Sequence, residues 1–189
     1  MLQFYKPNAK NTGCSCTFTF NRKERAMFAS LMRQFSWDAS KRRGSFAGNK
    51  DNPKAKTNIK FNFTEASGVL DAIESNRKFS AYHSSSAQIT RIEFSPYERD
   101  GNQLGFTLKV GREAKDDSTD KSQFLIGFNF PEARLLKEYI IHNLRQSFAE
   151  EDSKYQKSSA PSTPQGNRQN DVDFSPSQNK ADDDEEDIW

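Results

Sequence analysis

The chain has 189 residues, 33% of them hydrophobic, with a mean hydropathy of −0.95 and a formal charge of +2. This length accommodates one domain of ordinary size plus a polar extension, and no apolar run approaches the ~20 residues that a membrane-crossing helix needs. Cys14 and Cys16 stand two apart on one expected strand, a poor placement for a relaxed disulfide, and with His83 and His142 they form no zinc-ligand spacing; they are read as small core residues of a reducing compartment.

The expected elements begin with a strand at Leu2–Lys6. Cys14–Asn21 alternates Cys14, Cys16, Phe18 and Phe20 against Ser15, Thr17 and Thr19, the period of a half-buried strand. Arg22–Phe35 places Phe28, Leu31, Met32 and Phe35 at helical spacing. The internal repeat described below nevertheless requires a strand here, and Ala26–Trp37 is expected to form one. Asp38–Thr57 is expected to be a loop rich in positive charge, with a single aromatic, Phe46. Ile59, Phe61 and Phe63 then alternate as a strand that runs into a helix with Ala66, Val69, Leu70 and Ile73 on one stripe, and Thr64 is its expected N-cap.

The second half repeats this order. Arg77–Ser84 is a strand with Tyr82 at the place of Tyr5. Gln88–Ser95 puts Thr90, Ile92 and Phe94 on one face, and Asn102–Gly111 alternates Leu104, Phe106, Leu108 and Val110. An Asp-bearing loop, Glu113–Lys121, stands where the first half has its basic loop. Phe124, Ile126, Phe128 and Phe130 lead into a helix with Ala133, Leu136, Ile140 and Leu144 on one stripe, and Pro131 suits its first turn. Both strand-to-helix junctions share the sequence Phe-Asn-Phe-x-Glu-Ala, at 61–66 and 128–133. The same residues at the same structural switch identify an internal duplication.

Charge divides the chain unevenly. Residues 1–75 hold 13 basic and 6 acidic side chains, a net +7; residues 76–150 are at +1 and residues 151–189 at −6. A basic body with a separate acidic end points to a polyanionic partner. The expected fold class is α+β. Two tandem β-β-β-β-α repeats, 1–76 and 77–150, form one domain over 1–150, and a disordered linker and acidic tail follow over 151–189.

This architecture resembles the Whirly and transcriptional-coactivator-type single-stranded DNA-binding proteins over roughly residues 1–148. The end of the chain, Asp182, Asp183, Asp184, Glu185, Glu186 and Asp187 followed by Ile188 and Trp189, is similar to the tails of bacterial and phage single-stranded DNA-binding proteins, which recruit replication partners. The resemblance implies a Whirly-like body that binds single-stranded DNA with little regard to sequence. It implies a phage-type protein that protects DNA in replication or recombination, in the cytoplasm (the host's, if viral), and recruits partners through those eight terminal residues. Four edge strands per body further lead us to expect a homo-oligomer. An RNA-binding or transcription-modulating protein on the same fold is the alternative, and a scaffold with no nucleic-acid ligand is the second.

Single-stranded nucleic acid needs cations for its phosphates and aromatic faces for its bases. Tyr5 and Tyr82 are the candidate stacking residues, with Lys6 beside the first. Lys60, Arg91 and Lys109 project opposite core positions, and Arg33 and Trp37 share a face if Ala26–Trp37 is one strand. Lys41, Arg42, Arg43, Lys54 and Lys56 supply the loop's charge, and Phe46 either stacks on a base or tucks under the loop. No glycine-rich phosphate loop, nucleophile elbow or metal-spaced carboxylate set is present, so no catalysis, metal or cofactor is expected.

Overall fold

Two four-stranded antiparallel sheets, one from each copy, face each other across a shared layer of phenylalanines in the computed structural model, which describes residues 1–117 and 119–158. In the first copy β1 (Leu2–Lys6), β2 (Cys14–Asn21), β3 (Ala26–Arg33) and β6 (Lys56–Asn62) pair in the order β1-β2-β3-β6, followed by α1 (Phe63–Ser75). A short hairpin, β4 (Ser36–Asp38) and β5 (Arg43–Ser45), and a 3-10 turn at Ala47–Asn49 lie between β3 and β6. The second copy has β7 (Phe79–Ser84), β8 (Gln88–Arg99), β9 (Asn102–Ala114) and β10 (Lys121–Asn129), in the order β10-β9-β8-β7, followed by α2 (Phe130–Ser158). The β-β-β-β-α duplication expected from the sequence is therefore present, with a hairpin inserted in one copy. α2 overruns the boundary drawn from composition at residue 150, and Glu150 and Glu151 pair with Arg22 and Arg25 in the β2–β3 turn.

The segment with competing helix and strand signals is a strand. Met27, Ala29 and Leu31 are buried with period two, and β2 and β6 take up its backbone groups on either side. The apparent helical stripe dissolves, because Phe28 and Met32 lie on the opposite face and Phe35 is 57% exposed. The strand ends earlier than expected, however. Gln34 is buried, its main-chain N–H donates to the Gly13 carbonyl, and the chain turns away, so Trp37 belongs to β4 and shares no strand face with Arg33.

The repeated junction has a specific local cause. Asn62 Oδ1 accepts from the Glu65 main-chain N–H at 2.8 Å, and the Asn62 N–H donates back to Glu65 Oε2 at 2.9 Å. Asn129 and Glu132 do the same at 2.9 and 2.8 Å. Each Phe-Asn-Phe-x-Glu is thus a last inward strand residue followed by a capping box. Asn62 is the N-cap of α1, not Thr64, because the strand ends one residue after Phe61. The stripe of α1 is also rotated from the expected one: Ala66, Val69 and Ala72 are buried, whereas Leu70 and Ile73 are half-buried.

The registers set positions in the two copies equal: Phe61 with Phe128, Phe18 with Phe94, Tyr5 with Tyr82, Lys6 with His83, and Arg33 with Arg112. Contacts between the copies obey the same equivalence. Lys6 pairs with Glu132 of the α2 capping box, and His83 meets Glu65 of the α1 capping box at 2.7 Å. Arg33 Nη2 donates to the Gln123 carbonyl at 2.9 Å, and Arg112 Nη1 donates to the equivalent carbonyl, that of Lys56, at 3.3 Å. The two copies are therefore related by a pseudo-two-fold axis. They share one core, in which Phe4 and Phe128 meet edge-to-face at 5.0 Å between centroids and Phe94 stacks on Phe106 at 5.5 Å. Leu104, which alternates with Phe106, Leu108 and Val110 in the sequence, is 45% exposed, because it sits at a register shift where Tyr97 opposes Gly105 and Glu98 opposes Gln103.

Candidate nucleic-acid interface

With the core side of each sheet occupied, ligands have access to the outer faces. On the first sheet the outward positions form rows across the strands. Tyr5, Ser15, Met32 and Lys56 make one row, and Gln3, Thr17, Ser30 and Asn58 the next. The β4–β5 hairpin rises beside these rows and closes a groove of about 1160 Å³. Its lining includes both rows, together with Lys41, Arg42 and Arg43 of the hairpin turn, Phe46 and Lys50.

Buried amides hold the hairpin in place. Gln34 Nε2 donates to the Asn8 and Ser36 carbonyls at 3.0 and 2.9 Å, and its Oε1 accepts from the Asn8 N–H at 2.8 Å. Asn49 Nδ2 donates to the Arg33 and Gln34 carbonyls at 3.0 and 3.2 Å. Gly44 packs so closely that a Cβ there would fall 2.3 Å from Pro7 Cβ. The turn itself is carried by Arg42 in the left-handed region at φ 50°, and Asp38 caps it by accepting from Ser40 Oγ at 2.7 Å and the Lys41 N–H at 3.0 Å. Those hydrogen bonds, Ser40's first, hold the Asp38 carboxyl below its usual range. The charged turn is thus fixed to the sheet at its base while its cations stay exposed.

Among the described residues Arg42, Arg43 and Lys50 have no ion-pair partner, and Lys41 has only Asp38 at 3.9 Å. Lys56 Nζ donates to the Lys50 carbonyl at 2.6 Å, a bond that leaves its charge uncompensated. Tyr5 is 56% exposed beside them. Phe46 is not free to stack: it is 9% exposed and meets Tyr5 edge-to-face at 5.5 Å, so it props the tyrosine from below.

The other expected residues lie elsewhere. Trp37 is half-buried in β4, opposite Gly44, outside the groove lining. Lys6 and Arg33 are engaged in the contacts between copies, and the Arg33 guanidinium also lies 5.0 Å over the Phe124 ring. Lys54 pairs with Asp120 at 3.6 Å across the crevice between the copies. Lys60 faces outward on the first sheet but pairs with Glu24 at 2.8 Å and covers Phe28. Asp182–Asp187, Ile188 and Trp189 lie outside the described residues.

Tyr82, Arg91 and Lys109 do converge, in a smaller depression of about 540 Å³ on the outer face of the second sheet. Tyr82 is 58% exposed, the same as Tyr5 within a few percent, but the charges around it are matched. Arg91 and Lys121 pair with Glu113 at 3.0 and 3.1 Å, and their hydrogen bonds lower the Glu113 carboxyl from its ordinary value. Lys78 pairs with Glu93 at 2.7 Å, and that hydrogen bond, followed by the charges of Lys78 and Lys109, likewise lowers Glu93.

Sequence reasoning missed the two anchoring amides, Lys50 and the polar floor. Strict alternation along β2, β3 and β6 marks Thr17, Ser30 and Asn58 as outward, so the floor was readable once the strands were aligned. The cysteines are core residues: burial pushes the Cys14 thiol up to about 11 and the Cys16 thiol well above its usual value. No metal-binding group of three or more side chains occurs among the described residues.

No protein-family model matches the sequence, and no curated protein does. Solved structures share the fold, two of them plant proteins. One is WHY1 from Arabidopsis thaliana, with a TM-score of 0.55 at 9% identity over 86% of this chain and 95% of that chain. The other is the plant transcriptional regulator PBF-2, with a TM-score of 0.55 at 11% identity over 85% of this chain and 96% of that chain. The likeness is one of fold, and it bears out the Whirly-like α+β body expected from the repeat.

Proposed function

We propose that this protein binds single-stranded nucleic acid, DNA in the first instance, in the groove on the outer face of the first sheet, and that it is a binding protein rather than an enzyme. The observation that carries this reading is a set of cations arranged beside an exposed tyrosine in one open groove: among the described residues Arg42, Arg43, Lys50 and Lys56 have no carboxylate partner, and Lys41 has only Asp38 at 3.9 Å. Unpaired cations attract a polyphosphate backbone and release its counterions on contact, and an exposed aromatic face stacks on a base. The groove is open to solvent along the sheet, which suits an extended single strand better than a rigid duplex.

Within that reading the protein protects DNA during replication or recombination, as a homo-oligomer, and Asp182–Trp189 recruits a partner protein: Trp189 fills a pocket on the partner while the carboxylates steer its approach. Transcription modulation is the second reading of the same binding, supported by the transcriptional regulator among the structural neighbours. Fluorescence anisotropy of labelled oligo-dT against salt tests the binding. Five phosphate contacts predict a log–log slope of up to about −3.5; no binding, or binding indifferent to salt, would reject it. Pull-down with the Trp189→Ala variant tests the tail, and an undiminished catch would remove Trp189 from recruitment.

A further inference from the structure

Gln3, Thr17, Ser30 and Asn58 cross the groove floor in one row, each opposite the next by strand register. Gln3 Nε2 donates to the Tyr5 hydroxyl at 2.9 Å. The side chains of Thr17, Ser30 and Asn58 make no hydrogen bond to other protein groups among the described residues. With strands about 4.8 Å apart the row is about 14 Å long, room for a few bases laid side by side. The equivalent row of the second copy is Ser80, Glu93, Lys109 and Leu125, where Glu93 is already paired with Lys78. Outward hydroxyls and amides on a sheet are ordinarily satisfied by water. Here they lie beneath the cations that attract a strand, so a bound base displaces that water and must replace its hydrogen bonds or lose affinity.

We propose that this row reads base edges and that Asn58 is the specificity-determining residue. Its carboxamide presents an acceptor and two donors in fixed geometry, the arrangement that pairs bidentately with a base offering both functions. Thr17 and Ser30 hydroxyls adapt as donor or acceptor beside it. The four bases present these functions in different positions, so they fit the row unequally. The inference rests on the strand-binding reading above, and it adds a base-dependent contribution to the sequence-tolerant binding expected from phosphate contacts alone.

Anisotropy titrations of equal-length DNA and RNA homopolymers test it, on the full chain, on Asn58→Ala, and on a Thr17→Val/Ser30→Ala pair that keeps side-chain shape; matching thermal melts verify that each variant is folded. The wild type should separate the DNA homopolymers by about tenfold, with the same ranking in the RNA series. Asn58→Ala should compress that spread to about twofold while keeping the salt slope. Equal affinities for all homopolymers, a spread untouched by both variants, or discrimination that follows the sugar instead of the base would overturn the inference and leave strand binding standing. Loss of salt-dependent binding to every oligomer by the wild type would overturn both.

Discussion

The outer faces of the two sheets are built on equivalent positions and differ in how their charges are used. Both expose a tyrosine on the first strand, and both carry cations next to it. On the second sheet Arg91 and Lys121 share Glu113, and Lys78 pairs with Glu93, whose carboxyl also lies in the field of Lys109. On the first sheet the row positions that carry Arg91 and Glu93 in the second hold Ser15 and Thr17, and the cations sit mainly on and beside an added hairpin whose one acidic side chain, Asp38, reaches only Lys41 at 3.9 Å. Duplication supplied two copies of one scaffold, and divergence is concentrated at outward positions and in one insertion. The lesson is that function on such a fold is to be sought in unmatched charge. Charge count alone is misleading, since an internally paired face has little attraction left for a polyanion.

The largest expected effect concerns the core that the two copies share. Phe61→Ala and Phe128→Ala remove equivalent buried rings, so each should destabilise the whole body by about 3–5 kcal/mol in a single cooperative transition. Two separate transitions in denaturant would mean that the copies fold independently. Next comes the charge asymmetry. Reversing Lys41, Arg42 and Arg43 to Glu should weaken oligo-dT binding about a hundredfold or more at low salt and make the salt slope shallower by about 2. Reversing Arg91 and Lys109 should change affinity by less than about threefold. Equal losses from the two sets would erase the distinction between the faces.

The two tyrosines should differ by a smaller effect. Tyr5→Ala should lose about 1–3 kcal/mol of binding if it stacks on a base, whereas Tyr82→Ala should fall within the error of the titration. The smallest effect is symmetric: Asn62→Ala and Asn129→Ala each remove a capping box and should cost about 1 kcal/mol of stability, read as similar shifts in thermal midpoint.

Much of the fold was legible because the duplication wrote it twice. The helical spacing of Phe28, Leu31, Met32 and Phe35 is a local signal, and the repeat overruled it correctly by requiring a partner for β2 and β6 at that place. In the sequence alternation carries on to Phe63, which points to Thr64 as the cap, and threonine and asparagine both cap helices well; only the hydrogen bonds separate them. The β4–β5 hairpin has strands of three residues, too short for a period to register. Gln34 and Asn49 were invisible because they bond to main-chain groups that the fold brings to them, a relation with no sequence pattern. Of the groove lining, the basic turn and Tyr5 were legible from alternation and charge. The pairing that neutralises Arg91 was not, because Glu113 lies 22 residues away and becomes its neighbour only through the β8–β9 register.

Ultraviolet crosslinking of oligo-dT to the full chain, with the crosslinked peptides identified by mass spectrometry, locates the bound strand on one sheet or the other. Crosslinks are expected at Tyr5 and within the hairpin and turn spanning residues 36–56, with the Tyr82 peptide unmodified. Crosslinks at Tyr82 or along β8 equal to those at Tyr5 would show that matched charge does not exclude the strand, and would contradict the assignment of the groove.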